Sequence, residues 1–396
     1  MKTITHTVAA FIATTMLATN VQAQQNPNYV AAKDSTTTPP PTRDHPDRMK
    51  SLITGDAFFG YKFVNNRGLN KANQSTFTTL AVNPVWLWKL TDKLSFEGET
   101  EFQSSLWQED PTATSGMAVG AGLAVELETC NLQYKINPYM MLKVGEFFTP
   151  YGVAEDWYHQ RITDRMIDRP IGIGHGGIEA GSDMGACLQG GVPLPFGAKL
   201  HYAAALLQGQ KLISDGQQVL SNGVKFNNNG ALDIENIIAH TTAKTWVARV
   251  GYLPVPWFEI GGWYGSGKVN ADNDKLNTGN VMAVHLGGYL SIIKTMPAIK
   301  GTVILRSQYS QQNIGDAVFA NTSGVGTYTF SNNNSSAYYV QASYRPVLAG
   351  KVLGMFELAA RYGQMTLPDQ AQKQWILPGS TQGPNPYQSK SQVAVS

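Results

Sequence analysis

Charge is scarce in this chain. Asp, Glu, Lys and Arg make up 15% of its 396 residues, against about 25% in an ordinary soluble domain. What charge there is nearly cancels, with 30 basic and 28 acidic side chains and a net +2. That excludes nucleic-acid binding by phosphate neutralisation. Cysteine is scarcer still. Cys130 and Cys187 are the whole complement, too few for a disulfide framework or a Cys-rich zinc or iron–sulfur site. Long apolar runs are missing too: beyond the N-terminus nothing approaches the roughly 18 continuous apolar residues of a membrane helix. The mean hydropathy of −0.20 argues against a bundle of such helices. No GxSxG nucleophile turn occurs, and His159, His175, His201 and His285 share no metal-ligand spacing. Gly172-Ile173-Gly174-His175-Gly176-Gly177 matches a dinucleotide fingerprint by letter. It does not lead from an apolar strand into an amphipathic helix, so it reads as a flexible loop. No enzyme, metal centre or cofactor is expected.

What is present begins with an export signal. Lys2 is followed by an apolar run, Val8 to Leu17, that ends at the small-x-small pattern Val21-Gln22-Ala23. Residues 1–23 therefore read as a secretory signal peptide. Residues 24–50, with the Thr-Pro run 36–42, form a polar leader that cannot build a core. From residue 51 the texture changes to segments that alternate apolar and polar, the period of a strand with two different faces. In Leu94-Ser95-Phe96-Glu97-Gly98-Glu99-Thr100-Glu101-Phe102-Gln103, Leu94, Phe96 and Phe102 share one face while Glu97, Glu99, Glu101 and Gln103 share the other.

Such segments fall near 52–63, 76–89, 93–106, 122–135, 138–147, 184–192, 196–208, 243–252, 257–266, 280–292, 298–310, 336–346, 351–365 and 389–396. Every second link between them is short and most carry proline: Leu90-Thr91-Asp92, Ile136-Asn137-Pro138, Pro193-Leu194-Pro195, Leu253 to Pro256, Thr295-Met296-Pro297 and Val347 to Gly350. The others are long, the longest being 148–183, 209–242 and 311–335. Strict long/short alternation with two-faced strands predicts an all-β, antiparallel transmembrane barrel over 51–396, with short turns at one rim and long loops at the other. A Greek-key sandwich has no reason to sort its loops this way. Trp86, Trp88, Trp107, Trp246 and Trp257 fall near strand ends, where interfacial girdles belong.

The polar faces carry the candidate site. Glu97, Glu99 and Glu101 on the third strand join Glu126 and Glu128 on the fourth in an acidic wall, tolerable only in a wet lumen. Lys199 and His201, Arg249, Arg306, Arg345 and Arg361 alternate with apolar neighbours on later strands and form a basic wall. With 16 strands, strand k faces strand k + 8, which sets Arg306 and Arg345 across from the glutamates and lays a transverse field over the pore. In the long link 148–183, Arg161, Arg165 and Arg169 are spaced by four, with Asp164 and Asp168 on the adjacent stripe. On a helix they share a face. A charged helix there would fold into the lumen and narrow it.

Three stretches carry a family resemblance. Leu142 to Gly152 (LKVGEFFTPYG), Asn83 to Leu90 with Leu94 to Glu99, and Phe356 to Tyr362 (FELAARY) resemble segments of the phosphate-selective porin O and P family of Gram-negative outer membranes. The resemblance implies a 16-stranded, usually trimeric barrel seated in outer-membrane lipid, through which ions and small hydrophilic solutes diffuse. Phosphate selectivity does not carry over, because a dense lysine ladder is missing and Glu146 stands where a neutral or basic residue is expected. Loops 209–242 and 311–335 are also long enough for an adhesin or assembly scaffold borne on a barrel. Lys390 to Ser396 is shorter than the roughly 9–11 residues a spanning strand needs and lacks a terminal aromatic. The expectation is therefore a barrel incomplete at the C-terminus, with about 14 strands present.

Overall fold

The computed structural model describes residues 50–64, 74–106, 121–154, 156, 163, 164, 166, 169–173, 177–213, 218–221, 224–227, 232, 233, 239, 241–274, 277–320, 327–331, 333–347, 356–367 and 390–395. The signal peptide, the leader up to residue 49, Trp107, Arg161, Arg165 and Asp168 lie outside them.

Fourteen strands form one antiparallel sheet in which each pairs with its neighbours in the chain. They are β1 (Lys50–Val64), β2 (Gln74–Lys89), β3 (Leu94–Leu106), β4 (Ala121–Asn137), β5 (Met140–Phe148), β6 (Ser182–Pro193), β7 (Lys199–Leu207), β8 (Thr245–Val255), β9 (Phe258–Lys268), β10 (Met282–Met296), β11 (Gly301–Ile314), β12 (Asn333–Pro346), β13 (Leu358–Thr366) and β14 (Lys390–Val395). All fourteen expected segments are strands. Boundaries shift by a few residues, with β10 ending at Met296 rather than 292 and β11 at Ile314 rather than 310; the largest shift is that β13 begins at Leu358 rather than 351. Among the described residues β14 pairs with β13 alone and β1 with β2 alone. No described helix is long and apolar enough to cross a membrane.

The short links show why the strands turn where they do. Thr91 Oγ1 accepts the backbone N–H groups of Lys93 and Leu94, and Asp92 pairs with Lys89 at 2.5 Å. Asn137 Oδ1 accepts the Tyr139 N–H at 2.8 Å. Pro195 and Pro297 each open a single 3-10 turn; Phe196 (φ 61°) inside the first and Lys300 (φ 49°) at the end of the second lie in the left-handed region.

Burial is inside out. Apolar side chains stand exposed on one face of the sheet: Val125, Leu127, Leu206, Trp246, Val250, Ile260 and Val340. Polar and charged ones fill the other: Glu99, Arg249, His285, Arg306, Gln308, Gln341 and Arg361. In water the outer face would be unfavourable by about 25 cal/mol per Å² of apolar surface; in lipid that penalty vanishes. The exposed band runs straight along the pairing register, from Leu132 through Val144, Ala186 and Leu206 to Trp246. Another row runs from Tyr252 through Ile260, Leu290, Ser307 and Val340 to Tyr362.

The sheet is curled into a barrel around the segment between β5 and β6. That segment touches β3 and β4 at one side of the sheet and β11 to β13 at the other, which a flat sheet does not allow. Two local devices help. At Gly145 (φ 128°) a Cβ would lie 2.3 Å from the Cys130 carbonyl oxygen, so only glycine fits. The register between β3 and β4 shifts at Glu99/Thr100, a bulge that turns Glu128 and Thr129 inward together.

Candidate functional site

The site is the lumen at the level of the loop 149–181. Its root is fixed first. Thr149 Oγ1 donates to the Ala180 carbonyl at 2.5 Å, which ties entry to exit. Tyr151 and Val153 then pack with Phe147, Leu207, Val247, Trp263 and Tyr289 in an apolar cluster against the inner faces of β5 to β10. Arg249 on β8 reaches in from the wall: its guanidinium donates to the Gly152 carbonyl and meets Asp156 Oδ2 at 2.6 Å. Lys143 on β5 stands 3.9 Å from the other Asp156 oxygen. On β11, Gln308 accepts the Val153 N–H at 3.2 Å and donates to Glu179 at 3.4 Å, while Gln312 donates to the Ile178 carbonyl at 2.5 Å.

Beyond the root the loop crosses the lumen. Asp164 is held on the basic wall. Its Oδ2 accepts Arg361 Nη2 at 2.5 Å, its Oδ1 accepts Gln341 Nε2 at 2.9 Å, and Arg306 Nη1 stands at 4.0 Å. Arg306 Nη2 also donates to the Thr163 carbonyl at 3.0 Å. Five residues on, Arg169 lies on the acidic wall, 3.3 Å from Glu128 and 3.8 Å from Glu101. Five residues reach at most about 17 Å, which bounds the gap they bridge. Gly172 (φ 79°) then fits against Ala337, and Ile173 and Ile178 are buried. This glycine-rich stretch is packed on β12 and β13 at its described residues, not the loose loop its composition suggests.

Several expectations change here. The backbone at Asp164, Met166 and Arg169 is irregular, so the helix expected to carry Arg169 beside Asp164 is absent at those residues. The physical reason is that the two charges find partners on opposite walls rather than on each other one turn apart, and Pro170 follows at once. The transverse field is also bridged. The loop presents an acid to the arginines and an arginine to the glutamates, which pairs the charges the sequence sets against each other. Arg345 does not face the glutamates: it pairs with Glu357 at 2.6 Å by the short-turn rim. Lys199 begins β7 at that same rim and is half-buried. Glu97 accepts the Gln133 amide, Glu99 is fully buried, and Glu126 is exposed. His201 Nδ1 stands 3.6 Å from Glu259 Oε1, which also accepts the Tyr289 hydroxyl at 2.8 Å. Trp88, Trp246 and Trp257 are exposed as a girdle requires. Both cysteines are free, Cys130 outward and Cys187 buried.

Gln308, Gln312 and Gln341 escape a reading of the charged residues alone, and Asp156 lies in the expected loop without a role assigned from its sequence. The signal for the glutamines was present: Arg306, Gln308, Ser310 and Gln312 alternate with Ser307, Tyr309 and Gln311, the inward parity of β11. Asp156 has no such signal, because a loop has no period.

A polar-lined barrel crossed by its own loop is the class that fold and site define. No protein-family model matches the chain, and no curated protein does. Among solved structures, it is similar to the anion-selective porin from Comamonas acidovorans, with 12% identity, TM-score 0.37, and coverage of 88% of this chain and 98% of that one. It is similar also to outer-membrane expressed OmpT of Vibrio cholerae, with 11% identity, TM-score 0.36, and coverage of 88% and 94%. Pseudomonas aeruginosa OpdQ overlays at 12% identity and TM-score 0.31, covering 80% of each chain. These overlays are loose, and the fold reading stands on strand pairing and burial.

Proposed function

We propose that the protein is a porin of a Gram-negative outer membrane, through which ions and small hydrophilic solutes diffuse passively. The inverted burial carries this reading: an apolar band outside, a charged lumen inside, and a loop strapped across it. The loop packs on the inner faces of β5 to β13, so the aqueous path runs beside β1 to β4. Transport then follows from the width left by the strap and from the wall charges. Trimeric assembly and a 16-stranded closure remain readings from the family resemblance, and phosphate selectivity is not proposed.

One observation favours the second reading, a barrel that displays a binding surface. The long loops pack on one another through Leu212, Val269, Val281, Ala317 and Phe319. Asp272 clasps the two loops 208–244 and 269–281, accepting the Thr242 N–H at 2.6 Å and the Thr241 hydroxyl at 2.9 Å.

Planar-bilayer recording decides between them. A porin gives stepwise, ohmic single-channel currents in KCl; a scaffold inserts without conducting. Reversal potentials in a KCl gradient, repeated in phosphate, then report ion preference.

A further inference from the structure

We propose that the inner face of β1 to β4 binds a cationic solute, an organic ammonium or guanidinium. The inference rests on the porin reading for how such a solute arrives, but not for how it is held. The pairing register lays the acids out in rows. Asp56 is opposite Asn83 on β1 and β2, Glu101 opposite Glu126 on β3 and β4, and Glu99 opposite Thr129 in the next row. Because Val82 pairs with Phe102 and Val85 with Glu99, Asn83 stands across from Glu101 and joins the first row end to end. Opposed residues share a face with Cβ atoms about 5 Å apart, and like charges so placed repel. Such a wall is stabilised by cations.

Two uncharged oxygens point to a ligand beyond the chain. Asn83 is 6% exposed and Thr129 is 2% exposed, and neither Asn83 Oδ1 nor Thr129 Oγ1 has a hydrogen-bond partner. An unmet buried polar atom is normally costly, and both lie among the carboxylates, where an N–H donor would satisfy them. The chain itself shows the preferred chemistry: among the described residues, the Arg169 guanidinium reaches this wall, on Glu128 and Glu101. A bare metal ion fits poorly, since no three carboxylates among the described residues gather tightly enough to coordinate one. A multi-donor organic cation spans the rows instead, entering past exposed Glu126.

The probe is 1,3-diaminopropane, a dication at neutral pH, and two readouts separate this inference from the porin reading. Calorimetric titration of the detergent-folded protein should show saturable binding. The triple change Glu97→Gln, Glu99→Gln, Glu126→Gln, which keeps the Glu101 and Glu128 carboxylates that hold Arg169, should weaken it at least tenfold. Thr129→Val, which removes an unmet hydroxyl, should keep or raise Tm and still weaken binding several-fold. In bilayers the diamine should reduce the KCl current with the same ranking of variants, whereas sodium phosphate should not. Variant-dependent binding to a protein that conducts nothing would uphold the cation surface and overturn the porin. Normal conductance with no diamine binding, with binding unchanged by Thr129→Val and the triple change, or with equal block by phosphate, would overturn the cation surface alone.

Discussion

Replacing Asp164 by leucine should lift the loop off the basic wall without unfolding the barrel. Asp164 accepts two short hydrogen bonds there, one from a guanidinium, and Arg361 is 1% exposed. Breaking a buried pair by removing one partner costs about 3–5 kcal/mol, because the other charge stays behind unpaired. Arg361 keeps Gln341 Oε1 at 2.6 Å, and Arg306 is too distant to add much, so the lower end applies. About 3 kcal/mol corresponds to a shift of roughly a hundredfold in the docked-to-undocked ratio. The strand ladders do not share in this loss, since none of their backbone bonds involves Asp164. Amide hydrogen exchange reads the effect directly. The Ile173 and Ile178 amides, bonded to the Pro170 and Gly172 carbonyls, should exchange roughly a hundredfold faster. The Tyr339 amide in β12 should not change. Adding Arg361→Met should restore much of the protection, because an apolar pair replaces an unpaired charge. Acceleration at Ile173 below tenfold, or a double variant worse than either single one, would refute the reasoning.

Other tests reach other parts of the molecule. Arg249→Lys should loosen the loop root by about 2 kcal/mol, since an ammonium cannot serve Gly152 and Asp156 with one planar fork; faster exchange at the Val153 amide checks it. In a background with both cysteines replaced, Glu126→Cys in liposomes should react with a charged, water-soluble thiol reagent and Val125→Cys should not; the reverse pattern would sink the facing assignment. In the outer loops, the Lys268 ammonium first, then the Thr242 N–H and the Thr241 hydroxyl, hold the Asp272 carboxyl well below the usual range. A depressed folded value means its clasp is complete above the unfolded value of about 3.9 and lost only as pH falls toward the lower folded one. A carbon-13 titration of Asp272 should therefore show no protonation near pH 4, and a midpoint there would contradict the clasp.

The strands, their parity and the alternation of turns and loops were all legible in the sequence, for a physical reason. A strand's two-residue period is local, so Glu99 and Arg306 declare the lumen and Val125 and Leu206 the exterior without reference to any other element. The proline-bearing links likewise announce their turns, because a fixed φ and a missing N–H end a ladder wherever they fall. Which charge meets which was not legible. Asp164 and Arg361 are 197 residues apart, and Arg306 and Thr163 are 143 apart; no periodicity links a loop residue to a strand that far along the chain. The helix expected from the spacing of Arg161, Arg165 and Arg169 fails at Asp164 and Arg169 for the same cause. A helix pairs charges four residues apart, but a curled sheet offers each a buried partner on a wall, and the wall prevails because its partners are already ordered and shielded from water. The bulge at Glu99/Thr100 that turns Glu128 and Thr129 inward together is likewise a decision of the assembled barrel, because one extra residue in a ladder shows only once both strands are paired.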